Sequence, residues 1–436
     1  MLLSLALAPH AARAADAGAP PRASAPTGAP AMAKDSIGKI TEYTLPPDLH
    51  RKAHFFSRLR FALRLFGVGY VLFLLWLVLR SRASARFRSC AEALSQRRGV
   101  QAAVFTGLLG IPCGLLHLPL DILNEGILKA YGISVQSWGS WLGDWLKMLF
   151  LLLGLGSLFA WILRAALDRS PRRWWLAFWI VSVPIFVFLL FLQPLVIDPM
   201  FFEFEPLASK APDLIPRLQS VARRAGMEIP PDRMFWMKAS TKSVVANAYV
   251  TGLGASKRIV VWDTTLAQET ADGVLTVFGH ELGHYALGHV WKALAFFCLL
   301  TLVLLYLTHR SIGRLLAARG SAWGIRGLQD WACLPALLLL ICAYGCLGGI
   351  LAGAFSRYEE NQADIYSLEV TRGIVPDPGQ AAALSFQKFG EKVYVDPDPN
   401  PLDVLLFFDH PTIAQRIRLF ATYDPWSHGQ EPRFVK

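Results

Sequence analysis

The stretch LTVFGHELGHYALGHV, residues 275–290, decides how the rest of the chain is read, because it contains His280-Glu281-Leu282-Gly283-His284. On a helix, side chains four residues apart stack on one face, so His280 and His284 can reach one metal ion while Glu281 stands beside its open coordination position. Zinc is the ion such a pair serves, one per chain, with Glu281 as the catalytic base. With ten His in the chain, the pattern arises by chance on the order of once per hundred chains of this composition, so a mere polar helical turn is the weaker reading.

Catalytic zinc normally takes three protein ligands and leaves a fourth position to water. A third His ten residues after His280 would fall on Val290, and His289 is one short. A carboxylate is the alternative, and SRYEENQAD, residues 356–364, offers Glu360 and Asp364 at helical spacing. Glu360 is read as the third ligand, and Asp364 as the acceptor for the imidazole N–H of His280.

These pieces, with Asn247-Ala248-Tyr249, Lys257-Arg258-Ile259-Val260-Val261, Asp263-Thr264, and His410-Pro411 with Arg416, stand in an order that resembles the type 1 CAAX prenyl proteases. That family consists of integral-membrane zinc metallopeptidases, and the resemblance runs from about residue 42 to 419. It implies that Asn247, Ala248 and Tyr249 line the substrate cleft. It also implies that His410 and Arg416 turn toward the site to steady the oxyanion or the substrate; helix capping and a surface ion pair are the plainer alternatives. The family removes the C-terminal tripeptide of prenylated CAAX proteins, which makes a peptide or protein, membrane-associated ones included, the expected substrate. Membrane-protein quality control is the other expected task.

Composition points the same way. Hydrophobic residues make up 54% of the chain and charged ones 17%, against nearly half and about a quarter in soluble proteins. The lipid bilayer is therefore an expected partner. The net charge of +11 comes from basic loops that flank apolar spans, so nucleic acid is not expected to bind. Spans of bilayer length are read at Phe61 to Leu79, Gln101 to Leu123, Trp145 to Leu163, Trp174 to Ile197, Trp291 to Leu307 and Ala332 to Phe355. The expected fold is mainly α, a polytopic membrane helix bundle enclosing a zinc-metallopeptidase domain with a small β-hairpin or sheet. A strand at Met234 to Lys238 and a hairpin from Ala248 to Trp262 supply the sheet. Pro411 is placed in the first turn of the last helix.

Residues 1–14 are read as a signal peptide and 15–41 as a disordered linker. A four-span region (42–197), a soluble segment carrying the motif (198–290), two further spans (291–355) and the rest of the protease part (356–436) follow. Whether the motif helix runs on into the span at Trp291 is left open. The six cysteines show no Cys-x-x-Cys spacing, and packing is their expected use. The rival from another class is a transporter or channel with an incidental motif, but it calls for charges inside the spans, and few are there.

The signal and loop pattern are those of a multi-pass protein of a bacterial inner membrane. Six spans behind a cleaved signal place the basic loops, residues 80–98, 164–173 and 310–326, in the cytoplasm, and the motif then faces the periplasm. Arg51, Lys52, Arg58, Arg60 and Arg64, together with the cytosolic zinc domain of the family's eukaryotic members, argue for the cytoplasmic face. With three internal loops in agreement, the periplasmic side is favoured. A cysteine placed at Ser256 in a chain stripped of native cysteines should therefore react with a membrane-impermeant thiol reagent in intact cells; labelling only after lysis would invert the orientation.

Overall fold

The computed structural model describes residues 38–252 and 257–435. The expected signal and nearly all of the expected linker lie outside them. Six helical stretches among the described residues are long and apolar enough to cross a membrane, one for each expected span. They are α1 (Pro47–Arg80), α3 (Arg98–Ala130), α4 (Trp138–Arg169), α5 (Trp174–Leu192), α9 (His289–Trp323) and α10 (Leu334–Thr371), with the short helix α2 (Ala83–Leu94) between the first two. A π-helical turn, Gln193–Ile197, containing Pro194, carries α5 on to Phe201. Large apolar side chains such as Phe66, Phe150, Phe188 and Leu347 stay exposed on the bundle, as lipid-facing positions do.

The sheet sits beside this bundle. Strands β1 (Phe204–Pro206), β2 (Met234–Met237), β3 (Ala248–Thr251) and β4 (Arg258–Trp262) lie in the order β1-β2-β4-β3. The expected hairpin is present, with Ala248 opposite Val261 and Tyr249 opposite Val260. The parallel pairing of β2 with β4 and the three-residue β1 were not foreseen, because neither has a local sequence signal. Ala248 and Val250 point into the core while Tyr249 and Thr251 stay half-buried, the alternation of a strand with one covered face. Helix α6 (Leu214–Arg224) covers that face through Leu214, Leu218, Val221 and Ala222. A short helix α7 (Asp263–Gln268) leads from β4 to the motif helix α8 (Ala271–Ala286), whose first turn is capped by the Thr270 hydroxyl accepting from the Gly273 N–H at 3.1 Å.

Two features place the motif. Gly288, with φ of 70°, ends α8 and starts α9, so the motif helix and the following span are separate helices. Helix α10, about 57 Å long by its 38 residues, spends its apolar first half in the bundle. Its second half buries Glu359, Glu360, Gln362, Asp364, Ser367, Glu369 and Thr371 against the soluble part. Helices α8 and α10 approach closely at Gly279 and Gly283, and the Ser367 hydroxyl donates to the Thr276 carbonyl at 2.5 Å across the contact.

The C-terminal part adds α11 (Pro378–Lys392), α12 (Pro401–Phe407) and α13 (Ile413–Thr422). Thr412 caps α13 in a reciprocal capping box with Gln415, which corrects the placement of Pro411 from the first helical turn to the residue before the cap. The first described residues dock on this part. Tyr43 is buried with Leu368, Ala382, Ile413 and Phe420, and the Gln380 side chain hydrogen-bonds both backbone groups of Ile40, at 2.8 and 3.1 Å.

A Cβ at position 283 would meet the Ala363 Cα at 3.1 Å and the Tyr366 Cβ at 3.1 Å, contacts that no rotamer change relieves. Gly283→Ala should therefore destabilise the chain by about 1–3 kcal/mol, read as a lower unfolding temperature in detergent. Gly313→Ala, on a helical position with nothing within 4 Å, should be neutral or mildly stabilising and serves as the control.

Candidate metal centre

On α8, the helical repeat puts the imidazoles of His280 and His284 on one side, their ring centroids 4.9 Å apart and their Nε2 atoms 3.1 Å apart. That side faces α10, where Glu360 offers Oε2 at 3.2 Å from His280 Nε2 and Oε1 at 3.4 Å from His284 Nε2. One ligand atom from each of these three residues lies within 4.8 Å of the other two. Glu360 is 7% exposed, and its Oε2 has no hydrogen bond in acceptable geometry despite the nearby imidazole. A buried carboxylate facing two imidazole nitrogens that also face each other at 3.1 Å is an arrangement that a cation among them would satisfy. The donor set, two imidazoles and one carboxylate, is the one that suits zinc with an open position. The residues therefore fit a metal ion.

Behind this group lies a buried ion pair. His280 Nδ1 meets Asp364 Oδ1 at 2.9 Å, and Arg416 grips the same carboxylate, Nε to Oδ2 at 2.9 Å and Nη2 to Oδ1 at 2.5 Å. Arg416 Nη1 stands 3.7 Å from Glu360 Oε2, and its guanidinium stacks 4.1 Å over the Phe386 ring. At 7% exposure Arg416 is neither a helix cap nor a surface ion pair, and its fork is committed to Asp364. Burial alone would lower the pKa of His280, but the carboxylates of Glu360 and Asp364 outweigh it and raise the value to about 10. A metal ion on Nε2 would take the place of that proton while Asp364 keeps the one on Nδ1.

The other expected residues arrive from three elements. Glu281 is half-buried on α8, next to His280. His410 precedes α13, its Nε2 3.4 Å from Glu360 Oε1 and its Nδ1 2.8 Å from Asp409 Oδ1. Burial opposes a charge on His410, yet Glu360 and Asp409 outweigh it and raise its pKa. Ala248 and Tyr249 lie in β3, which is an edge strand, and Asn247 directly precedes it. The Asn247 carbonyl accepts from the Trp262 N–H at 3.1 Å and from the Thr265 hydroxyl at 2.5 Å. The Tyr285 hydroxyl on α8 donates to the Gly252 carbonyl at 2.8 Å, tying the end of β3 to the motif helix.

Two further residues stand at the site. His289 was weighed only as a third ligand, yet its Nδ1 lies 3.0 Å from His284 Nδ1 and its Nε2 lies 3.1 Å from Gln362 Oε1. Gln362 carried no signal beyond its position between Glu360 and Asp364.

Known proteins resemble the chain over most of its length. A family model described as CAAX prenyl protease N-terminal, five membrane helices, matches residues 31–203, and the model of peptidase family M48 matches residues 208–422. The chain is 33% identical over 363 residues to the protein of Bacillus subtilis (strain 168) named uncharacterized metalloprotease YhfN, with 83% of each chain covered. Against CAAX prenyl protease 1 of Saccharomyces cerevisiae it is 27% identical over 335 residues, covering 73% of this chain and 71% of that one. The crystal structure of S. mikatae Ste24p superposes with a TM-score of 0.74 at 23% identity, over 88% of this chain and 93% of that one, a likeness of fold.

Asp364→Asn keeps the shape but replaces a charged acceptor of the His280 N–H with a neutral amide. Affinity for a divalent metal ion, measured by chelator competition, should fall by about 10 to 100-fold, and an unchanged affinity would remove Asp364 from the support of His280.

Proposed function

The chain belongs to peptidase family M48 and is a membrane-embedded metalloprotease, and from that premise we propose that it is a zinc-dependent endopeptidase acting on membrane-associated polypeptides. The observation that carries the zinc assignment is the convergence of His280, His284 and Glu360, whose ligand atoms all lie within 4.8 Å of one another, with both imidazole Nε2 atoms turned to the Glu360 carboxylate. Family membership sets aside the transporter or channel reading.

Bound by these three residues, zinc would supply Lewis acidity toward the attacking water and the scissile carbonyl. Glu281 takes a proton from that water and passes it to the leaving amine. His410, with its Nε2 3.4 Å from Glu360 Oε1, would donate to the oxyanion of the tetrahedral intermediate. Arg416 acts through Asp364, holding the carboxylate that orients His280. An extended substrate would pair with the edge strand β3 at Asn247, Ala248 and Tyr249, which satisfies its backbone groups without demanding a particular sequence.

A relative named CAAX prenyl protease 1 favours a substrate with a lipid-modified C-terminus, and the bundle of apolar helices that carries the site fits a chain delivered from the bilayer. The loop charges favour the periplasmic side for catalysis. A Glu281→Gln form kept in membranes should hold its substrates uncut, so isolating and identifying what it retains separates prenylated proteins from general membrane-protein clients.

Glu281→Gln should keep zinc and lose on the order of 100 to 10,000-fold in peptide hydrolysis, whereas a variant that retains a tenth of normal activity would remove Glu281 as the base. In the same assay Glu360→Ala should lose zinc and Glu359→Ala should keep it.

A further inference from the structure

The two histidines of the motif are held from behind by different chemistry. His280 Nδ1 meets the Asp364 carboxylate, while His284 Nδ1 meets a third imidazole, that of His289. His289 is 2% exposed, and Gln362, its partner on the other side, is also buried. Gly288, in the left-handed region, sets His289 at the very start of α9, from where its ring reaches back to the face of α8 that carries His284.

A hydrogen bond between two neutral imidazole nitrogens needs one proton and one lone pair. Gln362, His289 and His284 therefore form a chain whose protons all run one way or all run the other. In one direction the Gln362 carbonyl accepts from His289 Nε2–H, and His289 Nδ1 accepts from His284 Nδ1–H. His284 Nε2 then presents a lone pair toward His280 and Glu360. The reverse direction needs the Gln362 amide N–H in place of its carbonyl, and it would aim a His284 N–H into the cluster. A metal ion on His284 Nε2 requires the first direction, because only then does that nitrogen offer a lone pair, and the Gln362 amide lies within hydrogen-bonding distance of His289 Nε2 to complete the relay.

We infer that His289 and Gln362 are positioning residues that fix His284 as its Nδ1–H tautomer, so that the Nε2 lone pair is presented to a metal ion. The inference rests on the proposed metal site of His280, His284 and Glu360. With Glu359, Glu360 and Asp364 already buried on this stretch of α10, a carboxylate in the place of His289 would add a further buried charge with its own desolvation penalty. A ring that merely fills space behind His284 would be replaceable by any side chain of its size, and this separates the two roles.

The test uses the purified full chain in detergent, with zinc affinity from competition with a chelating dye and the visible absorption of the cobalt-loaded protein. His289→Phe keeps a ring but has no acceptor, whereas His289→Asn puts a carbonyl oxygen near the position of Nδ1. Zinc should bind about 10 to 100-fold more weakly to His289→Phe and within about threefold of the unsubstituted chain to His289→Asn. The cobalt spectrum should change only in the former. Gln362→Met, which touches His289 and leaves His284 alone, should weaken zinc by about tenfold. It carries the test if His289→Phe does not fold. Equal loss in His289→Phe and His289→Asn, or unchanged affinity in His289→Phe or Gln362→Met, overturns the inference while the metal site stands. An unsubstituted chain that binds no zinc overturns the metal-site reading itself.

Discussion

The close contact between α8 and α10 is the constraint on which the rest of the site depends. Gly279 and Gly283 present no side chain to α10, and the Ala363 Cα and the side chains of Tyr366, Ser367, Val370 and Thr371 fill the space a Cβ would need. Because of this, His280 and His284 on one helix stand within about a hydrogen bond's reach of Glu360 on the other. Neither glycine needs a special backbone conformation. Both are required by distance.

Bringing the helices together buries several charges, and their arrangement offsets the desolvation. Asp364 is held by Arg416 in a fork with two hydrogen bonds, and His280 Nδ1 shares its Oδ1 oxygen with Arg416 Nη2. Removing one member of such a buried group leaves an uncompensated charge at a cost of about 3–5 kcal/mol, so the cluster behaves as a unit. Arg416 comes from α13, whose capping box and packing against Leu368, Ala382 and Ala383 fix where the guanidinium stands. A carboxylate on a membrane-derived helix, a histidine on the motif helix and an arginine near the chain's end are thereby made interdependent.

The bundle contributes rigidity as well as lipid contact. Helix α10 is continuous from its apolar half to the segment bearing Glu360 and Asp364, so the candidate metal site is anchored to a span rather than to a loop. On the other side Gly288 uncouples α8 from α9, and that break is what frees His289 to stand behind His284. The docking of residues 40–45 on the C-terminal helices ties the start of α1 to the same assembly.

Much of this was legible in the sequence, and the limit has a physical cause. His280, Glu281 and His284 could be read because their relation is helical spacing within one segment, and the six spans could be read because bilayer length and apolar composition are local properties. Glu360 and Asp364 could be read as candidates because they too share a helical face. The tertiary structure alone decided the rest. Arg416 could be a surface ion pair or a buried clamp until 52 residues of separation from Asp364 were closed by packing. The parallel pairing of β2 with β4, the contact of His289 with His284 and the burial of Gln362 depend on how segments meet. No periodicity encodes that, because it is set by which surfaces fit at atomic distance.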